Sequence, residues 1–555
     1  MDMTQMDRPW IDSYDEGVAA DIDFDAIQPL SVRVDESLKK YADRPAVTVM
    51  GRTKTYAEMA ALTKQYGGYI TGVAGLKRGD RVAIMMPNLL PFPVAMFAHI
   101  MAGLVQVNVN PMYTPRELKH QLNDAGASTI LIFAASLPTL MEVIADTPVK
   151  TVIVAGPGSL MGAPAGDMPT MDGVSIISLE EAMEQGAAHP FERDPAVTND
   201  DLMFLQYTGG TTGLSKGAML TQGNVSANIM QSLTFFGRNM SDEGEVVITA
   251  LPLYHIFALM VNLLSQVTLG SHNIFIPNPT DMPGFVETLK NTKFTFFTGV
   301  NTLYNGLVHT PGIEDVDFSN LKFAMGGGAP VQEAVSEKWS KLTGSHIVEG
   351  YGLSETSPVV TTNPLGLKFF KEGVGVPLPS TIVSIRDDNG NPVAKGEPGE
   401  LCVFGPQVMK GYWNLPDKTS EVFTADGYFR TGDVAVEDDG GFFRIVDRKK
   451  DMILVSGFNV FPNEIEECAA AIPGVIECAC IGVPDEKSGE AVRLFVVKAP
   501  DSDLTEEAIR AHCKEMMTGY KVPKRVLFID ALPKSTVGKI LRRELRNPEY
   551  NQAAA

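Results

Sequence analysis

The chain has 555 residues, too many for one ordinary core, and 44% apolar with 20% charged residues is the composition of a globular protein. Its 46 Lys and Arg against 67 Asp and Glu give a formal charge of −21; this argues against nonspecific nucleic-acid binding and requires any polyphosphate to be met by locally gathered cations. Five cysteines, Cys402, Cys468, Cys478, Cys480 and Cys513, lack paired C-x-x-C spacing and read as reduced, mostly buried thiols of a cytoplasmic protein, with neither a disulfide framework nor a zinc site.

Residues 1–17 are polar and acid-rich, so no export signal is expected. From Arg81 short apolar runs alternate with helical periodicity: strands over 81–86, 105–109 and 128–133, helices over 92–102 and 115–124. Repeated β-α-β units predict a parallel sheet covered by helices, with ligands held in loops at the carboxyl ends of its strands. Residues 156–173, rich in Gly, Pro and Met, read as an irregular connection.

The apolar run 202–205 breaks into Tyr207-Thr208-Gly209-Gly210-Thr211-Thr212-Gly213-Leu214-Ser215-Lys216-Gly217. Bare backbone N–H groups can close on anionic oxygens only where side chains are absent, so this loop is the first candidate for a nucleotide triphosphate. It is not a Walker loop, because Lys216 is followed by Gly217, and Gly326-Gly327-Gly328 runs into Ala329-Pro330, which spoils a dinucleotide fingerprint.

Further strands are expected at 246–250, 273–276, 294–297 and 321–325. His255 stands between a strand and the apolar run 256–270, which is about 15 residues long and carries Asn262, Ser265 and Gln266. A membrane span needs roughly 20 apolar residues, so only peripheral membrane contact stays open. Tyr351, between Gly350 and Gly352, offers an exposed aromatic face for adenine, and Glu355 a hard oxygen ligand for Mg²⁺. After Gly373 short β segments with turn signals predict a β-rich subdomain reaching about Val446, within which Asp433 can accept both hydrogen bonds of a ribose diol.

The charge run 447–451 is of a kind usually found as a solvated turn. Beyond it, helices at 464–471 and 505–517 and strands at 479–483 and 494–498 make a small α+β domain. Lys539, in a loop freed by Gly538, joins Lys521, Lys524 and Arg525 in a local basic patch. A lysine on such a loop can bring a point charge to a crowded phosphate centre.

Together these stretches resemble the adenylate-forming acyl-CoA synthetases and, within them, the bacterial long-chain fatty-acid–CoA ligases. The likeness covers nearly the whole chain: Met86-Pro87-Asn88-Leu89-Leu90, Asn108-Val109-Asn110-Pro111, the phosphate loop, Leu253-Tyr254-His255-Ile256-Phe257, Tyr351-Gly352 with Glu355, and Lys534 through Arg543. Its most diagnostic part is Asp426 to Asp433 running on to Ile445 through Lys450. The resemblance implies an α/β fold with a large N-terminal adenylation domain over 1–446, parallel sheets and a β-rich subdomain at 373–446. A hinge at 447–451, centred on Lys450, then leads to a small mobile α+β C-terminal domain over 452–555.

By the same carry-over, Tyr207, Thr208, Gly209, Gly210, Thr211, Thr212, Gly213 and Lys216 take the phosphates of ATP. Gly327, Gly328, Ala329, Gly350, Tyr351, Gly352 and Thr356 surround adenine, while Asp433 and Arg448 hold the ribose. Thr211 and Glu355 serve Mg²⁺, His255 lines the acyl carbonyl site, and Lys539 neutralises charge at the α-phosphorus. Ser456, Gly457 and Phe458 admit the pantetheine arm of CoA. Fatty acid, ATP and CoA are the implied substrates, and a homodimer stays open. Leu454 replaces a lysine of some aryl-CoA relatives, which argues against an aryl acid. Chain length rests on which of Met230, Phe235, Phe236, Met260 and Val300 line a tunnel. A medium-chain or aryl acid–CoA ligase, or a fatty acyl-AMP ligase serving a carrier protein, remain alternatives.

Overall fold

The computed structural model describes residues 7–550 except 164, 165, 167, 209–214, 368, 501, 536, 537 and 548. Two large sheets carry the first 377 residues. In the seven-stranded sheet the order is Ser175–Ser178, Thr151–Ala155, Thr129–Phe133, Arg81–Met85, Val105–Val109, Leu202–Thr208, Lys216–Thr221, parallel except for the last strand. In the nine-stranded sheet the parallel strands Ile347–Gly352, Phe323–Gly326, Phe296–Gly299, Val246–Thr249, His272–Phe275 and Pro45–Val49 lie side by side, with antiparallel strands at both edges.

The expected β-α-β alternation follows from local chemistry. The helix Pro115–Ala125 starts with proline at its first position and a reciprocal cap, Thr114 accepting from the Glu117 amide and Glu117 from the Thr114 amide. Gly126, at φ +62°, ends it. The helix Pro91–Ala102 is apolar on every side but for His99, and all twelve of its residues are buried, most of them in the core cluster that draws on both sheets.

Some expectations needed correction. The strand expected at 294–297 begins instead at Phe296, because Phe294 is a buried anchor whose ring meets Phe318 edge-on at 5.8 Å. The strands expected at 479–483 and 494–498 are one long hairpin, Val475–Asp485 with Gly489–Lys498; its polar ends hid its true length. In the stretch 256–270, Asn262 donates to the Ile248 carbonyl at 3.1 Å and accepts from Thr298 at 2.8 Å, so it is a buried link to the sheet. Among the described residues no helix is long and apolar enough to cross a membrane.

A third, four-stranded antiparallel sheet runs Ile382–Arg386, Gly399–Phe404, Phe429–Glu437, Phe443–Arg448. Its last strand pairs Arg448 with Asp433 and Asp447 with Val434, so two residues expected in the hinge are strand residues and the turn itself starts at Lys449. The remaining strands form a five-stranded sheet packed on helices Pro462–Ala470 and Glu506–Met516. All five cysteines are free; Cys402, Cys478, Cys480 and Cys513 are buried, and burial raises the thiol pKa of each of the five.

Candidate active site

Four parallel strands lead at their carboxyl ends, where open α/β sheets hold ligands, into the residues singled out in the sequence. Leu202–Thr208 leads into the glycine-rich loop, of which Gly209, Gly210, Thr211, Thr212 and Gly213 lie outside the described residues. Val246–Thr249 leads to His255, Phe323–Gly326 to Gly327, Gly328 and Ala329, and Ile347–Gly352 carries Gly350, Tyr351 and Gly352.

Strand alternation sends neighbouring side chains of the loop's lead-in opposite ways. Tyr207 packs in the outer core of the seven-stranded sheet and donates its hydroxyl to Asp124 at 2.5 Å, whereas Gln206 turns toward Tyr254 beside His255. At the other end of the loop, Lys216 Nζ stands 4.2 Å from the Tyr412 ring centre, and Tyr412 donates its hydroxyl to Glu355 at 2.8 Å. Burial raises the Glu355 carboxyl pKa, against the lowering pull of Tyr412 and Lys216. The Thr356 hydroxyl is buried and donates to the Pro358 carbonyl at 2.5 Å while accepting from the Leu353 amide, so it serves its own turn.

The glycines do unequal work. A side chain at Gly326 would overlap Val331, and one at Gly352 would overlap the Pro358 carbonyl, so both let protein pack on protein. Gly328, at φ +77°, is the one of Gly326, Gly327 and Gly328 that needs its backbone freedom; a side chain there would meet only Val300, at 3.8 Å. Tyr351 is half-buried, not exposed as expected, and its hydroxyl donates to Asp433 at 2.6 Å. The other oxygen of Asp433 lies 3.3 Å from Arg448 Nε. The Asp433 carboxylate, expected to take a ribose diol, thus already holds two partners of its own.

Around Asp433 the structure gathers positive charge. Burial first, then the Arg448 guanidinium, lowers Lys539 to a pKa of about 7, and the charges of Lys450 and Arg542 act in the same direction. Burial and Arg448 likewise lower Lys450. His255 is pushed down to about 4 by burial and then by Lys539, so its imidazole is neutral at neutral pH. Its Nδ1 accepts from the Phe257 amide at 3.3 Å, which leaves the proton on Nε2 as a donor. Asp451 also faces Lys450, and Arg542 is paired with Glu466, Asp447 and Asp451. What marks the place is a buried lysine, Lys539, whose charge is resisted and which an added anion would favour.

Lys539 reaches this place because its hairpin is held at both ends. The Ser535 amide donates to the Lys539 carbonyl at 2.7 Å, and Thr302 donates to the Gly538 carbonyl at 3.2 Å. Three residues on, Arg542 forks onto Glu466 at 2.7 and 3.0 Å and lies 3.3 Å from Asp447, at the end of the third sheet. Removing a partner from such a buried ion network typically costs 3–5 kcal/mol, so Arg542→Met is expected to destabilise the smaller domain by about that much. Urea unfolding followed at Tyr520 would register it as an earlier transition of that domain.

Ser456, Gly457 and Phe458 are not in this cluster. They form the turn between Ile453–Val455 and Phe458–Val460, with Ser456 and Gly457 at positive φ, and the exposed Phe458 ring stacks on Tyr520 at 4.7 Å. Sequence reasoning missed Tyr412 and singled out Arg542 only as part of a motif; their partners Glu355 and Asp447 lie 57 and 95 residues away.

The model of AMP-binding enzymes matches residues 34–413, and that of the AMP-binding enzyme C-terminal domain matches 464–539. The chain belongs to the AMP-binding enzymes. A long-chain-fatty-acid–CoA ligase of Yersinia pestis is 49% identical over 556 residues, covering 98% of each chain. One from Escherichia coli O157:H7 is 48% identical, again over 98% of each. Among solved structures, ATP-bound MatB from Rhodopseudomonas palustris superposes with a TM-score of 0.83 at 30% identity, covering 94% of this chain and 99% of that one. The two matched segments of this AMP-binding enzyme leave residues 414–463 between them, the stretch that holds Asp433, Arg448 and Lys450.

Proposed function

We infer that the protein ligates a long-chain fatty acid to coenzyme A in an ATP-dependent reaction through acyl-AMP, releasing AMP and pyrophosphate. The observation that carries this reading is Lys539, held with Arg448 and Lys450 around Asp433 and beside a neutral His255. The near full-length likeness to proteins named long-chain-fatty-acid–CoA ligase supports the acid and thiol substrates.

In the first half-reaction a carboxylate oxygen attacks the α-phosphorus as its bond to the pyrophosphate oxygen breaks. Lys539 meets the charge developing on the α-phosphate, and the glycine-rich loop with Lys216 takes the outgoing phosphates. His255 donates from Nε2 to the acyl carboxylate and needs to remove no proton. Gly327, Gly328 and Ala329 with Gly350, Tyr351 and Gly352 form the adenine wall, and Asp433 with Arg448 receives the ribose. Thr356 supports that wall by holding the turn before Pro358. In the second half, the smaller domain turns about Lys450, withdraws Lys539 and presents Ser456, Gly457 and Phe458 to the pantetheine arm. The CoA sulfur then attacks the acyl carbon and AMP leaves with its electron pair.

Magnesium fits as an ion that arrives with ATP. Glu355 is a buried carboxylate whose charge a cation would favour, but among the described residues no group of three or more His, Cys, Asp or Glu could hold a metal alone. Mg²⁺ commonly binds through one or two carboxylates plus substrate phosphates, and Glu355 with Thr211 would supply the protein's share.

Products formed from ATP, CoA and saturated acids of increasing length test the reading. AMP, pyrophosphate and acyl-CoA peaking at long chains are expected; a peak at short or aromatic acids moves the substrate class, acyl-AMP without a CoA-dependent product points to a carrier protein, and ADP overturns the mechanism. Of the candidate tunnel residues, Met260 and Val300 pack in one core cluster and Phe235 and Phe236 in another. A pH dependence is also expected. Lys539 must be protonated to act, so kcat/KM for ATP in pyrophosphate exchange falls as pH rises through about 7 in the free enzyme, whereas Lys539→Arg lacks that limb.

A further inference from the structure

Two motifs of the resemblance, Met86 to Leu90 and Asn108 to Pro111, have no part in the chemistry above, yet both reach the turn that carries His255. Asn88 donates from Nδ2 to the carbonyls of Thr249 at 3.1 Å and Leu251 at 2.9 Å, and its Oδ1 accepts from the Leu253 amide at 2.8 Å. At the next residue a second amide takes over: Gln206 donates from Nε2 to the Tyr254 carbonyl at 3.0 Å.

Gln206 is the end of a longer chain. Its Oε1 accepts from Asn108 Nδ2 at 2.9 Å, and Asn108 Oδ1 accepts from Gln106 Nε2 at 2.7 Å. Gln106 Oε1 lies 3.1 Å from His99 Nδ1, and His99 Nε2 lies 3.2 Å from the Tyr66 hydroxyl. Every member is buried, none more than 4% exposed. An amide has one accepting and one donating end, so orienting one orients the rest. Burial lowers His99 to about 4 and keeps it neutral. Its proton therefore sits on Nδ1 facing Gln106 Oε1, and Tyr66 donates to Nε2. The chain has one polarity, with every amide donor aimed toward the Tyr254 carbonyl.

The arrangement crosses between sheets. Asn88, Asn108 and Gln206 belong to or follow strands of the seven-stranded sheet, while the turn they grip leaves Val246–Thr249 of the nine-stranded sheet. Buried polar groups are costly unless satisfied, and a satisfied network fixes one geometry. Four hydrogen bonds onto backbone groups between Thr249 and Tyr254 do more than core filling requires. We propose that Asn88 and the Gln106–Asn108–Gln206 chain are positioning residues that lock the Leu251–His255 turn and thereby aim His255 Nε2–H at the acyl carboxylate. The last step rests on the reading of His255 as the acyl-site donor.

Asn88→Asp keeps the acceptor for Leu253 and loses both donors; Gln206→Glu loses the donor to Tyr254. Each is tested in the full chain by deuterium exchange of the 249–257 peptide, and by adenylation kinetics with and without His255→Ala. Exchange in that peptide is expected to rise tenfold or more while peptides of the smaller domain stay unchanged. The kcat/KM for the acid should fall about tenfold, since small misplacements cost up to about a hundredfold, with KM for ATP unchanged. In the His255→Ala background the further loss should shrink to less than about twofold. Unchanged exchange at the turn overturns the proposal, and so does an equal loss in both backgrounds. If His255→Ala alone is kinetically silent while exchange at the turn still rises, the acyl-site reading of His255 fails and the locking of the turn stands. Should Asn88→Asp not fold, Gln206→Glu decides by the same readouts.

Discussion

The Lys539→Ala variant is expected to form acyl-AMP about 10²–10³-fold more slowly than the parent chain while binding ATP with similar affinity. That range is the usual effect of removing one preorganised donor from a centre where charge develops in the transition state. The structure gives reasons to expect the upper end. Lys539 is desolvated, it is the cation whose hairpin is clamped by Thr302 and Arg542, and its lowered pKa shows that the free site resists its charge. A triphosphate relieves that resistance, so the ammonium is most stabilised when the reacting phosphate is present. Pyrophosphate exchange and equilibrium ATP binding separate the two effects. Unchanged exchange would remove Lys539 from the adenylation step, and lost ATP binding would make it a ground-state anchor.

The Lys450→Pro variant is expected to leave adenylation within a few-fold and to lower CoA thioester formation by about a hundredfold or more. Lys450 lies in the turn directly after the strand Phe443–Arg448, where the neighbouring amides of Lys449 and Asp451 already bond to Gly432 and Arg448. Proline fixes its own φ and restricts the residue before it, so a turn that must change conformation is frozen. If rotation about this turn separates the half-reactions, the defect belongs to the second alone. Single-turnover assays of acyl-AMP and of acyl-CoA distinguish the cases. Equal loss in both halves would mean that proline had distorted the Asp433–Arg448 pairing instead.

What the sequence made legible was local. The apolar runs near Arg81, Val105 and Leu202 marked strands, and the periodic stretch from Pro115 marked a helix, because those signals lie within a few residues of each other. The resemblance supplied Lys539, Asp433 and Arg448. Pairings across the fold stayed hidden: Tyr351 read as an exposed face because its partner Asp433 is 82 residues away. Arg448 read as hinge because a charge run hides the fact that it is paired in a ladder with Asp433. The amide chain was invisible for a further reason. Asn88, Asn108 and Gln206 look like ordinary polar interruptions of apolar strands until the two sheets are set against each other.

The sulfur atoms of the chain bear on a different matter. An acyl-adenylate is a mixed anhydride and acylates whichever thiolate meets it first. A thiol reacts only as its anion, and apolar burial keeps the proton on. With all five cysteines raised in pKa and four of them buried, the protein's own sulfur is a poor acceptor at neutral pH. Chemoselectivity among thiols is thus partly a property of the fold: the intermediate is spared capture by its host's own cysteines and kept for a thiol that arrives from outside.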